Sequence, residues 1–481
     1  MQQKIHIMKS SAVLIMLVGF SFAMLPGGAE AQRVYIDVTG ATFRPYPLAI
    51  PRVSVAGDLE DGESHSDLIT ERLRYNLSSS GLFQVLDPRS FLARPDEGVT
   101  AATIRFQDWA NVGAEGLVTA ELRPTEEEGK MSLQARIFQV TTASEVVRFS
   151  YKVPQDEARR LAHAVANDVV RHFTGERGIF DTRIAYVREA GENKELWVSD
   201  WDGHGGRRLV GTDLNLFPTW DPSGDRLAFT SYREGSPDIF ITDMEGRVTP
   251  VIRGEPMFHG PAWSPDGKRI AFTRTKHGTA DIWTVNPDGT EARRLTRTIG
   301  VIDTSPTWSP DGTRIAFVSN RHGNPHIFVM NSDGSDQTRL TFQGNYNQMP
   351  KWSPRGDAIV FMGRDERAVF DLFSVNPETK EISRLTQDTG QNFDPTWSPN
   401  GRHIIFTSTR TGDARLFIMN ANGTGQRQIG LAPGSYTNAT WGPWPPDRDE
   451  FRDSPEEPEE DDPDDESETE ESGDDDDRDE E

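Results

Sequence analysis

Residues able to hold a metal or move a proton are present in this chain, but they are not arranged to do either. Asp-Gly pairs recur at Asp266-Gly267, Asp288-Gly289, Asp311-Gly312 and Asp333-Gly334. Carboxylates at a repeated spacing suggest calcium, yet the alternating Asp ladder and terminal Glu of a calcium loop are missing. As turns they need no ligand: Pro presets φ, Asp bonds its own backbone, and Gly accepts φ > 0. The ten histidines fall singly, and there is no cysteine to supply a nucleophile, a thiolate ligand or a disulfide. A His-Glu-x-x-His helix, a Walker loop and a Gly-x-Ser-x-Gly elbow are all absent. No catalytic residue, metal or cofactor is expected.

What recurs instead is structural. Trp-x-Pro stands at Trp220, Trp263, Trp308, Trp352, Trp397 and Trp441, at intervals of 43, 45, 44, 45 and 44 residues. After each of the first five comes a Gly-containing turn, an apolar strand such as Arg314-Ile315-Ala316-Phe317, a second strand such as His326-Ile327-Phe328-Val329-Met330, and another turn. A unit of about 44 residues with four short antiparallel strands is the size of a propeller blade, which buries its faces only against neighbouring blades. Second strands beginning near Arg183, Arg226, Arg269, Arg314, Ala358 and His403 make six blades. The first has no Trp-x-Pro strand before it and the last motif has no strands after it. Residues 438–444 are therefore expected to return as the innermost strand of the first blade, closing the ring.

Ahead of the repeats, residues 32–176 read as a small α/β domain. A helix from about Ser66, capped by Ser64 or Ser66, runs to Ser80. Another carries Leu161, Ala162, Val165, Ala166, Val169, Val170 and Phe173 on one face and stops at Gly175. Strands are expected near 34–38, 47–55, 82–86, 116–122, 131–140 and 145–153. The fold class is thus mainly β, a six-bladed β-propeller over residues 177–446 preceded by an α/β domain. At the N-terminus, Lys4 and Lys9, an apolar run from Ala12 to Leu25 and Ala29-Glu30-Ala31 read as a cleaved signal over residues 1–31. At the other end, residues 447–481 hold 23 acidic and 3 basic residues, −20 of the chain's net −25, and too little apolar surface for a core. The remainder, near −5, gives no sign of nucleic-acid binding.

The connections leading into each innermost strand ring one mouth of the channel. They span 215–218, 257–261, 302–306, 345–350, 391–395 and 436–438 and are rich in Asn, Gln, Tyr, Phe and His. Such a surface suits a protein partner.

Several of these segments together resemble the TolB family, the periplasmic component of the Tol-Pal envelope system. They are Arg33-Val34-Tyr35-Ile36-Asp37 ahead of Arg44-Pro45, the junction Phe173-Thr174-Gly175-Glu176-Arg177-Gly178-Ile179-Phe180, Thr182-Arg183-Ile184-Ala185-Tyr186-Val187, and the Trp-Ser-Pro-Asp-Gly blades. The resemblance covers residues 32–444. It implies a monomeric protein that grips the peptidoglycan-associated lipoprotein Pal at the propeller mouth, through His259, Thr304, Ser305, Asn347 and Asp394. It also implies that an N-terminal segment engages the inner-membrane protein TolA, through Gln32, Arg33, Val34, Tyr35, Ile36, Asp37 and Arg44. The implied role is in envelope integrity and outer-membrane constriction at cell division. The wording before Trp263 departs from the family's, and the acidic tail is not part of its pattern. Two other classes remain, a propeller that gates or assists an envelope hydrolase and one that binds glycans through Trp and Asn.

Overall fold

The computed structural model describes residues 44–92, 97–364 and 368–446. The expected signal segment, the strand at 34–38 and the acidic tail lie outside them.

The α/β domain comprises β1 (Tyr46–Ala49), β2 (Ser54–Val55), α1 (Gly62–Ser79), β3 (Phe83–Val85), α2 (Phe106–Asn111), β4 (Gly116–Pro124), β5 (Lys130–Gln139), β6 (Ser144–Pro154) and α3 (Ala158–Thr174). The strands form one sheet in the order β3-β1-β4-β5-β6, with β2 paired to β4. Pairing is parallel around β1 and antiparallel from β4 to β6. In α3 the apolar residues fall one turn apart and are buried together, with Leu161, Ala162 and Ala166 fully enclosed. Gly175 then ends the helix in the left-handed region at φ 74°, its N–H reaching the Arg171 carbonyl at 2.8 Å.

Two expectations change here. The single strand over 47–55 is two short strands. Helix α1 begins at Gly62, following Asp61 at φ 52°, with no side-chain cap. Ser66 is not a cap: it lies inside the helix, buried, and its hydroxyl donates to the Val53 carbonyl at 2.5 Å, while Thr70 Oγ1 accepts the Val53 N–H at 3.0 Å. Ser66, read as a start signal, instead joins Thr70 in pinning the segment between β1 and β2 to the helix. Helix α2, which has a single turn's worth of buried contact through Trp109, had no periodic signal to announce it.

Six four-stranded sheets follow. Blade two is Asn215–Trp220, Arg226–Ser231, Asp238–Asp243 and Val248–Ile252, and blades three to six repeat it. Blade one takes Arg183–Ala190, Asn193–Asp200 and Arg207–Val210 from its own stretch of chain. Its innermost strand is Tyr436–Trp441, paired antiparallel so that Trp441 faces Ile184. The ring is closed as the motif count requires. Blades bury their faces on each other: Ala228 and Ile239 of blade two pack with Trp263 and Phe272 of blade three, and Ala262 and Ile282 of blade three with Trp308 and Phe317 of blade four. Burying each such side chain contributes about 1.5 to 3 kcal/mol.

The repeated Ser-Pro-Asp-Gly turn accounts for its own polar groups. In blade three Ser264 Oγ donates to Asp266 at 2.6 Å and accepts the Arg269 N–H at 2.9 Å, while Asp266 also accepts the Lys268 N–H at 3.1 Å. These bonds hold the Asp266 carboxyl below the usual range. In blade four Ser309 and Asp311 do the same. The carboxylates are spent on the turn. Among the described residues no three His, Asp or Glu gather to hold a metal ion.

The α/β domain meets the propeller at the turn end, meaning the end of the channel where the Trp-x-Pro turns lie. Glu176 bridges Arg355 of blade five at 2.7 Å and Arg402 of blade six at 2.9 Å. Arg159 bridges Asp202, in the last turn of blade one, at 2.6 Å, and the His403 ring reaches the Ser80 carbonyl at 3.2 Å. The domain's apolar core continues into Ile405, Leu416 and Ile418 of blade six and Trp441 of blade one.

Candidate protein-binding site

At the other end, each innermost strand departs from regular pairing in the same way. The six align as Asn215-Leu216-Phe217-Pro218-Thr219-Trp220, Phe258-His259-Gly260-Pro261-Ala262-Trp263, Asp303-Thr304-Ser305-Pro306-Thr307-Trp308, Asn347-Gln348-Met349-Pro350-Lys351-Trp352, Asn392-Phe393-Asp394-Pro395-Thr396-Trp397 and Tyr436-Thr437-Asn438-Ala439-Thr440-Trp441. In all six the register slips between the second and fifth residues. The third residue takes a positive φ in every blade: Phe217 53°, Gly260 64°, Ser305 54°, Met349 51°, Asp394 53° and Asn438 49°. The proline that follows in five of them has no N–H to give a ladder, so it suits a bulge and not a regular central strand. The mouth segments expected as loops are thus bulged halves of strands, which makes them a firmer platform than loops.

The bulge sorts side chains by position. First-position residues point inward and serve the blade. Asn347 is 3% exposed, and its amide donates to His326 Nδ1 at 3.2 Å, Thr341 Oγ1 at 3.2 Å and the Gln343 carbonyl at 3.0 Å. Asn215 and Asn392, both fully buried, are engaged in the same manner. Asn347 therefore differs from the other mouth residues singled out by sequence: its amide is committed across the seam to blade four and the connection that follows it, and Gln348 and Met349 are the residues of that strand which reach the surface. Its recurrence at one register in three blades was the available signal of a structural part.

Second and third positions are partly exposed in all six blades. His259 Nε2 lies 3.1 Å from Thr275 Oγ1, and burial lowers its pKa. Ser305 Oγ sits 3.8 Å from Met349 Sδ, joining blades four and five. Asp394 Oδ2 accepts the Asn438 side-chain amide at 2.6 Å and the Asn438 N–H at 3.2 Å, joining blades six and one. Burial raises the Asp394 pKa against those bonds. Four of the expected residues, His259, Thr304, Ser305 and Asp394, are brought onto one ring.

Around that ring lies an apolar arc; Met257 and Ile302 fall in the expected mouth segments, whereas Leu214, Tyr232 and Ile299 were missed by sequence reading. Leu214 and Tyr232 of blade two, Met257 of blade three, and Ile299 and Ile302 before blade four are exposed, Ile299 to 97%. All five lie at the bulge end. Scattered apolar residues on loops carry no periodic signal, so only the ring geometry collects them. Of the expected N-terminal site, Arg44 is the first described residue and is exposed, whereas residues 32–37 lie outside the described residues.

A closed ring of six sheets, with a small α/β domain on one end and a bulged, partly apolar mouth at the other, defines the chain as a six-bladed propeller with an appended α/β domain. Residues 34–146 match the family model described as the TolB amino-terminal domain, and residues 170–445 match the TolB beta propeller domain. The chain belongs to the TolB family and is a component of the Tol-Pal system. It is 55% identical over 425 residues to the Tol-Pal system protein TolB of Myxococcus xanthus, covering 88% of this chain and 97% of that one. It is 43% identical to the TolB of Anaeromyxobacter dehalogenans over 226 residues, 46% of this chain and 50% of that one. The crystal structure of TolB from Acinetobacter baumannii superposes with a TM-score of 0.72 at 23% identity, covering 83% of this chain and 97% of that one, and so shares the fold. Among the described residues no helix is long and apolar enough to cross a membrane.

Proposed function

We propose that this protein is the non-catalytic, periplasmic link of its Tol-Pal system. Its bulge-end mouth grips a Pal-like outer-membrane lipoprotein, and residues 32–44 engage a TolA-like inner-membrane protein, in support of envelope integrity and constriction at division. The observation that carries the reading is the mouth itself. Six bulges present a different side chain from each blade beside an apolar arc, at the end where the α/β domain does not pack. Exposed apolar surface next to polar groups on a firm backbone is the composition of a protein-binding site.

Titration calorimetry with a soluble Pal-like lipoprotein tests the mouth. His259→Ala with Thr304→Ala and Asp394→Asn should weaken binding by about 1 to 4 kcal/mol, with melting unchanged. Full affinity in that variant removes the mouth as the site. Deleting residues 32–44 should abolish capture of the TolA-like protein and shift lipoprotein affinity by a coupling free energy of about 1 to 3 kcal/mol. Capture that survives the deletion makes the segment structural. A pull-down from envelope extract separates the other classes, since recovery of muropeptides in place of a lipoprotein favours a glycan-binding propeller, and recovery of a hydrolase favours an accessory role.

A further inference from the structure

Each seam brings the Trp of the later blade beside the start of the earlier blade's second strand, and five of the six seams are covered there. The Arg183 guanidinium lies 5.3 Å from the centre of the Trp220 ring, Arg226 5.1 Å from that of Trp263 and Arg314 4.9 Å from that of Trp352. The His403 ring stands 6.4 Å from Trp441, and in the seam where the strand starts at Ala358, Arg355 crosses to the Asn400 carbonyl at 2.9 Å. The seam between blades three and four differs. Arg269 is exposed, no described cation stands over Trp308, and a cavity of about 550 Å³ opens there, bordered by Asp266, Arg269, Trp308, Asp311 and Ser332.

The neighbouring turns explain the difference. Arg226 is drawn in by Asp221 Oδ2 of its own turn at 3.1 Å, and Arg314 by Glu378 on the outer turn of the next blade at 2.9 Å. Blade three starts its turn with Ser264, whose hydroxyl donates to Asp266, and the outer-turn acid of blade four, Asp333, accepts the Ser335 N–H at 2.9 Å and hydroxyl at 2.6 Å. Arg269 thus lacks both acceptors and makes no hydrogen bond or ion pair among the described residues. The surroundings are acidic. Asp266 and Asp311 hold their turns and remain anions, Asp311 held down to about 2 by its bonds from Ser309 and Thr313. The inner and outer turns of the two blades carry Asp266, Asp288, Glu291, Asp311, Asp333 and Asp336 against Lys268, Arg269 and Arg293. The ion pairs of the α/β domain run to blades five, six and one, and Asp266 and Asp311 are exposed.

We propose that this seam receives an arginine side chain of another protein, its guanidinium over the Trp308 ring and beside Asp266 and Asp311. The seams at Trp220, Trp263 and Trp352 are the template: a guanidinium above the indole, bonded to an acceptor on a turn, is how this fold closes such a place. A cation within about 6 Å of a Trp ring centre is attracted by the negative face of the ring, and a carboxylate beside it adds a charge-assisted hydrogen bond. The cavity falls within the roughly 300 to 1,000 Å³ usual for ligand pockets. It lies at the end opposite the bulged mouth, so the proposal is independent of what the mouth holds.

The test is a titration of the full chain with the peptide acetyl-Gly-Arg-Gly-amide, read at the indole N–H resonance of Trp308, which Trp308→Phe assigns. A saturable shift is expected, with affinity about ten-fold lower for the peptide carrying citrulline, which keeps the shape of arginine without its charge. Asp266→Asn with Asp311→Asn should weaken the arginine peptide several-fold at an unchanged melting temperature, because blade six already builds this turn with Asn400, which accepts the Ser398 hydroxyl and the Arg402 N–H. No shift at Trp308, an equal response to citrulline, or full affinity in the doubly substituted chain each overturns the proposal. Binding that appears only in Arg269→Ala overturns it as well, by showing that Arg269 covers Trp308 as its counterparts cover theirs.

Discussion

The two ends of the propeller channel are built from the same strand and teach different things. At the turn end the sixth residue is Trp in every blade, five of the six are followed within two residues by the same satisfied turn, and the indoles bridge blades: Trp308 Nε1 donates to the Ala262 carbonyl at 3.1 Å and Trp397 Nε1 to the Lys351 carbonyl at 2.9 Å. At the bulge end the backbone is equally regular, with a positive φ in all six blades, yet the side chains at that position are Phe, Gly, Ser, Met, Asp and Asn. Where the repeat holds the side chain constant, packing sets the choice. Where it holds the backbone and lets the side chain vary, packing leaves the choice to something outside the chain.

The sharpest way to break this contrast is to truncate a turn-end indole. Trp308→Ala should cost about 3 to 5 kcal/mol, read as a lower urea midpoint, because Trp308 fills the seam between blades three and four. A cost below that of a surface change would mean that the indole rings are not what holds the blades together.

Acid should act next most strongly, and it loads the turn end. His403 is fully enclosed between blade six and the end of α1, and burial depresses its pKa to about 3. The unfolded chain takes up that proton near pH 6.5, so the folded state binds fewer protons between the two values. Stability is complete above about pH 6.5 and falls as pH drops toward about 3, by about 1.4 kcal/mol per unit from this residue. His326, depressed to about 4, adds to the same slope over a shorter window. His403→Gln should flatten the dependence of the urea midpoint on pH below 6, and an unchanged slope would place the acid sensitivity elsewhere.

Asn347→Ala tests the sorting within a single bulged strand. The loss of its amide strips a donor from the Gln343 carbonyl and from buried Thr341 and His326, which should cost about 1 to 3 kcal/mol of stability with lipoprotein affinity held. Loss of affinity at full stability would return Asn347 to the binding surface. The smallest effect is expected two positions away from the seam, where Thr304→Ala should leave the urea midpoint within about 0.5 kcal/mol.

Much of the fold could be read from spacing alone, because propeller blades repeat their signals: Trp-x-Pro, the Asp-Gly turns and the starts of the second strands, which fall within a residue of Arg183, Arg226, Arg314 and His403 as observed. The single-copy α/β domain offered no repeat to average over. There Ser66 passed for a helix cap, when its hydroxyl is in fact bonded to Val53 across the domain. The candidate mouth was legible as a place, and the direction each of its side chains takes was less so. Pro218, Pro261, Pro306, Pro350 and Pro395 mark the bulges in the sequence, but whether a neighbour of that proline faces the channel or the blade depends on register, so that Asn347, which the resemblance set beside Thr304, is buried while Thr304 is partly exposed. Ile299 and Tyr232 belong to the mouth through ring closure, a relation between segments that no local pattern encodes.

Closing the ring with the last strand also dictates when the molecule can exist. Trp441 donates to Thr182 across a separation of 259 residues, and Trp220 to the Thr440 carbonyl across 220. A growing chain can pair the later strands of blade one early, yet Arg183–Ala190 keeps an open edge until residues 436–441 have been synthesised. Contacts this distant in sequence make folding slow, and an unpaired strand edge is adhesive while it waits. A chain that ends short of Tyr436 therefore carries five finished blades and one with an open edge.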